Sequence, residues 1–148
     1  MFNLEPIPDV KPEWETTYRI RALAKDGEST VLDELVDRKE KNFDEYKKIL
    51  NSIKIAVSSG RSLELMGNRI KPSKQHKGVF ELRPGHGQIR LFFFRHPETH
   101  DIIICTNVYW KAKDSIKIQN QEFEKCNEIR TAYLTWLAQT EAPGREQP

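Results

Sequence analysis

Two short apolar runs constrain this chain more than any other feature: Leu91-Phe92-Phe93-Phe94 and Ile102-Ile103-Ile104-Cys105. Each is too short for a buried helix and is rich in aromatic or β-branched side chains, so each reads as a strand. Neighbouring side chains of a strand point to opposite faces. A run without polar alternation therefore needs cover on both faces of its sheet. Between the runs, Pro97 to His100 turns the chain. Upstream, VFELR (Val79–Arg83) is a third strand candidate, followed by the turn Pro84-Gly85-His86-Gly87. Strands over 79–83, 88–95 and 101–110, joined by short turns, predict an antiparallel three-stranded meander.

Helices must supply the cover. Thr17–Leu23 alternates apolar and polar residues and predicts an N-terminal strand, closed by the turn signal Lys25-Asp26-Gly27. Ser29 or Thr30 can cap a helix that carries Val31, Leu32, Leu35 and Val36 on one stripe. Asn42 or Asp44 opens a second helix with Tyr46, Ile49, Leu50, Ile53, Ala56 and Val57 at helical spacing, ended by Ser58-Ser59-Gly60. The two helices form a hairpin over one sheet face. A C-terminal helix over 120–138, with the stripe Phe123, Cys126, Ile129, Tyr133 and Trp136, covers part of the other. Residues 1–15, with three prolines, read as an extended lead-in, and 141–148 as a flexible tail. The 148 residues contain no internal repeat or linker. The expectation is one α+β domain over 1–148: strand, helical hairpin, meander, C-terminal helix.

Charge is uneven along the chain. Residues 69–118 carry ten Lys and Arg against four Asp and Glu, together with all four histidines, whereas the flanking segments are mildly acidic. Such a block points to a polyanionic partner, or simply to a solvated sheet face. No apolar run approaches the roughly 20 residues of a membrane span. The first residues lack a basic stretch followed by an apolar core, so no secretory signal is expected. Cys105 and Cys126 make no disulfide framework and suit a reducing, cytoplasmic compartment. His96, His100 and Cys105 lack the further ligand that a tetrahedral metal site needs, so no metal and no cofactor is expected. Cys105 lies within an apolar strand and reads as a small hydrophobe rather than a nucleophile. RPGHG has no strand–GxGxxG–helix context and reads as a hairpin turn.

What remains is a set of cations. Arg83 ends one strand, Arg90 and Arg95 lie on the next, and Tyr109, Lys111 and Lys113 follow at period two as the third strand ends. Lys71, Lys74 and Lys77 precede the meander. With sequential pairing these groups are expected to line one side of a sheet. A guanidinium meets two phosphate oxygens at once, and a lysine holds a phosphate as a point charge. The alternative is ion pairing of Arg90 and Arg95 with Glu81 or Glu98, which merely solubilises the sheet.

The order of elements, and above all the string KGVFELRPGHGQIRLFFFR (77–95), resembles the RelE superfamily of bacterial toxins, in particular its HigB-like, phage-derived branch. Members of that branch read approximately "glyELR … yRvfyf" and continue into a third apolar strand with a Lys-rich end, here YWKAKDSIK. The resemblance implies a RelE-like fold and the toxin of a type II toxin–antitoxin system. It further implies a cytoplasmic endoribonuclease that cuts mRNA in the ribosomal A site, and a small helix-turn-helix antitoxin as partner. Arg83, Arg90, Lys111 and Lys113 match the family's basic positions. Metal-independent RNA cleavage needs a base for the 2′-hydroxyl, cations for the phosphorane and an acid for the leaving 5′-oxygen. Arg83 and Arg90 are the expected phosphate ligands, Lys111 or Lys113 the base or RNA contact, and His86 an acid or base. Lys71, Lys74, Lys77 and Arg95 are expected to contact RNA. Tyr109, which points to the opposite face from Trp110, is the expected stacking platform for a base. A basic module that binds RNA, DNA or a protein partner without cutting is the competing reading.

Overall fold

The computed structural model describes residues 1–110 and 116–140. The elements are β1 (Phe2–Pro6), β2 (Arg19–Lys25), α1 (Thr30–Lys41), α2 (Phe43–Ser58), β3 (Ile70–Pro72), β4 (Val79–Leu82), β5 (Ile89–Arg95), β6 (Ile102–Trp110) and α3 (Ile116–Thr140), with single 3-10 turns at Pro12–Trp14 and Leu63–Leu65. One six-stranded mixed sheet runs β1-β2-β6-β5-β4-β3. Among the described residues only β2 and β6 pair in parallel; the long path through the helices and the other strands permits it.

Local chemistry explains the helices. The Ser29 hydroxyl accepts a hydrogen bond from the Leu32 N–H at 3.3 Å, and the Asn42 side-chain oxygen accepts one from the Glu45 N–H, also at 3.3 Å. Asn42 is at once the C-cap of α1 and the N-cap of α2, so one residue makes the hairpin joint. Ile49, Ile53 and Val57 of α2 and Val31 and Leu35 of α1 pack on Ile20, Leu82, Leu91, Phe93, Ile103 and Cys105 of the sheet. On the other face, Phe123, Cys126 and Tyr133 of α3 pack on Val79, Phe92, Phe94 and Ile104. Phe92, Phe93 and Phe94 are all fully buried, alternately against α3 and against the hairpin. Each such side chain contributes roughly 1.5–3 kcal/mol of apolar burial.

Three features depart from the sequence expectation. The sheet has six strands because the lead-in is not merely extended: Phe2–Pro6 pairs antiparallel with β2, and the Phe2 ring meets Tyr133 and Trp136 edge-on at 5.7 Å. Ile70–Pro72 is a further edge strand, too short for periodicity to reveal, with Ile70 buried in the core and Pro72 where its missing N–H does no harm. Finally, β6 carries a bulge: Phe92 pairs with Asn107 and Phe93 with Cys105, leaving Thr106 as the extra residue. Ile103 and Cys105 face the hairpin before the bulge; Val108 and Trp110 face it afterwards. The predicted 141–148 tail lies outside the described residues.

Candidate nucleic-acid interface

The bulge decides which side chains share a face. It sends Tyr109 to the α3 side, against the Phe92 and Phe123 cluster, directly across from Arg90 in the β5/β6 register. Trp110 takes the hairpin side, where the Arg38 guanidinium stacks on it at 4.5 Å. On β4, Phe80 and Leu82 face the hairpin, so Glu81 faces α3; Lys71 on β3 is its cross-strand partner. Lys71, Glu81, Arg90 and Tyr109 thus share one face of the sheet.

Glu81 organises this corner. It is 1% exposed, and a buried carboxylate requires cationic or hydrogen-bonding partners. Its Oε2 accepts from Arg83 Nη2 at 2.5 Å and from Gln119 Nε2 of α3 at 3.1 Å, while Oε1 lies 3.7 Å from Arg90 Nε. Arg90 is 7% exposed and also donates from Nη1 to the Gly87 carbonyl at 2.7 Å. Arg83 differs. Its side chain is 22% exposed, although its Nε is buried and has no hydrogen-bond partner among the described residues. Arg83 lines a cleft of about 330 Å³ together with Lys71, Lys74, Gln119 and Asn120. A neighbouring buried network ties α3 to the sheet: Asn107 Nδ2 donates to the Glu122 main-chain carbonyl and to its carboxylate, both at 3.2 Å.

The remaining predicted residues divide. Lys71, Lys74 and Lys77 are exposed along β3 and the β3–β4 loop. Arg95 does not join Arg90 on one side of the sheet, as expected. Five residues on, it takes the opposite face, with its guanidinium 5.4 Å from the Tyr18 ring centre and 3.8 Å from Glu64. His86 is exposed on the β4–β5 turn, which is braced from the hairpin layer by Glu45 accepting from the Gln88 N–H at 3.0 Å. A Cβ on Gly87 would lie 2.6 Å from both the Glu45 carboxylate and the Pro84 ring, so a larger residue would have to displace them and the brace on this turn. Lys111 and Lys113 lie outside the described residues.

His96 Nδ1 accepts from the Glu98 N–H at 3.2 Å and so serves the β5–β6 turn. Among the described residues no group of three His, Cys, Asp or Glu can hold a metal ion, and no helix is long and apolar enough to cross a membrane. Burial pushes the Cys105 thiol well above its ordinary range and that of Cys126 to about 12, so neither is a ready thiolate at neutral pH.

Sequence reasoning missed two contributors on α3, Gln119 and Arg130. The latter donates from Nη1 to the Lys77 carbonyl at 2.8 Å. Nothing in a helical stripe marks either position. No known protein-family model matches the chain, and no curated protein matches it significantly.

Proposed function

We propose that this protein is the toxin of a type II toxin–antitoxin system, of the RelE and HigB-like kind: a cytoplasmic, ribosome-dependent endoribonuclease that cuts mRNA in the A site and is neutralised by a small helix-turn-helix antitoxin. The reading rests on one arrangement. Arg83, the arginine of the ELR string that carries the resemblance, lines a cleft together with Lys71 and Lys74, and this cluster of cations supports the reading.

In this mechanism a base takes the 2′-hydroxyl proton, the 2′-oxygen attacks phosphorus, and the 5′-oxygen leaves with a proton from an acid. Arg83 holds the non-bridging oxygens as negative charge develops. Arg90, buried against Glu81, positions rather than contacts: it holds the carboxylate that in turn orients Arg83. His86 and Lys111 or Lys113 divide the acid and base tasks, and Tyr109 stacks a base.

A second reading has its own support. Glu81 engages both arginines, and α3 lies over that face. This favours a protein of the same fold that binds RNA or a partner without cutting. Induced expression in a bacterium separates the two. Growth arrest with new transcript 5′ ends, relieved by Arg83→Ala and by Lys111→Ala, supports the nuclease. Full arrest by both variants rules out this site. RNA that is bound but stays intact with ribosomes present favours the second reading.

A further inference from the structure

We propose a second phosphate-holding cleft, beside the Arg83 cleft, so that single-stranded RNA runs along the β3–β4 corner from Arg83 to Arg130. The proposal builds on the RNA-directed reading above and adds the path of the strand. The second cleft, of about 620 Å³, is lined by Lys74, Lys77, Arg95, His100 and Arg130, with Glu64 as the acidic group. Four permanent cations thus face one carboxylate. Pro72 and Lys74 line both clefts, so the two lie side by side.

Both guanidiniums are held in place before any ligand arrives. Arg130 donates to the Lys77 carbonyl at 2.8 Å and lies on Gly78; a Cβ there would sit 3.2 Å from Arg130 Nη1, and the Gly78 φ of +90° is one that L side chains rarely adopt. Arg95 donates from Nε to the His100 carbonyl at 2.7 Å and stacks over Tyr18. Its Glu64 partner is 56% exposed at 3.8 Å, a contact that water weakens. A guanidinium has five N–H donors, so a main-chain anchor fixes each group while leaving donors for phosphate oxygens. Fixing them beforehand lowers the entropy lost on binding. One cleft would serve a lone phosphate. Two neighbouring cationic clefts suit a repeating polyanion, and the RNA-directed reading above makes that polyanion RNA, with an acidic peptide as the competing occupant.

The test is fluorescence anisotropy with a short, labelled 2′-O-methyl RNA, which cannot be cleaved through its 2′-oxygen, titrated over a range of salt. Lys77→Ala keeps the carbonyl that anchors Arg130; Arg130→Gln removes the guanidinium; Lys41→Gln on α1 is the distant control. Each cleft variant is expected to weaken binding by about tenfold. Each should also reduce the slope of log K against log salt by about 0.7 per phosphate lost. The control should match wild type. Wild-type protein that does not bind, cleft variants that bind normally, or a control that weakens equally would each overturn the proposal. So would displacement of the RNA by an acidic peptide at equal concentration, which would mark a protein-docking groove. Transcript-end mapping judges the nuclease separately: cleavage by wild type with normal binding by the cleft variants overturns the path alone.

Discussion

Glu81→Gln is the most informative single perturbation. The substitution keeps the shape and removes the charge. It leaves two guanidiniums around a neutral amide at a position that is 1% exposed. Breaking a buried ion pair from one side costs about 3–5 kcal/mol, because the charge left behind has lost its water. For a domain of this size each kcal/mol lowers Tm by roughly 2–4 °C, so a fall of about 6–20 °C is expected in a thermal melt. Urea denaturation should show a lower midpoint at unchanged slope, which assigns the loss to stability rather than to compactness. A double-mutant cycle with Arg83→Met then isolates the direct contact, and a coupling of about 1.5–3 kcal/mol is expected for a hydrogen bond between charged groups. A loss below about 1 kcal/mol, the range of surface pairs, would refute the argument by placing Glu81 in water.

Further predictions concern other parts of the molecule. Gly78→Ala forces an L side chain to a φ of +90° beneath Arg130 and should destabilise by about 1–2 kcal/mol in urea titration, with Gly67→Ala, which meets open space, as the comparison. Hydrogen bonds from Lys39 and Tyr46 hold the Asp9 carboxyl below its ordinary 3.8, and burial with the Asp9 contact raises the Tyr46 hydroxyl above its ordinary 10.0. The Asp9 contribution is therefore complete above pH 3.8 and lost as pH falls through its folded value; the Tyr46 contribution is complete below pH 10.0 and lost as pH rises beyond it. Asp9→Asn should flatten the acid limb of the stability profile and Tyr46→Phe the alkaline limb, read from denaturation midpoints across pH. Cys105 and Cys126 should react with a thiol reagent in mildly alkaline buffer only after urea is added, because both are buried with raised pKa values; prompt labelling of the native protein would contradict their packing.

Much of the fold is written in local chemistry. The runs at 91–94 and 102–105 required cover on both faces, and the hairpin and α3 supply it. Ser29 and Asn42 cap the helices through the side-chain oxygens that made them candidates. The strands β1 and β3 were illegible for a physical reason: each is an edge whose pairing comes from a neighbour rather than from its own periodicity. The cations were legible as a set, but their partners were not. Glu81 was visible as a possible mate for Arg90, whereas Gln119 and Arg130 act from a helix distant in the chain.

By itself the sequence determined the three helices and four of the strands, because side-chain periodicity and caps act over a few residues. Tertiary structure alone decided which face each functional side chain takes. The extra residue at Thr106 reverses alternation in β6 and turns Tyr109 toward Arg90, and no local pattern signals it. Packing of α3 on the sheet then brings Gln119 to Glu81 and Arg130 to Lys77, contacts spanning 38 and 53 residues. Such contacts form only when the layers close, because only then do the helix and the sheet that carry the partners meet; where a partner is buried, the hydrogen bond offsets the water it loses.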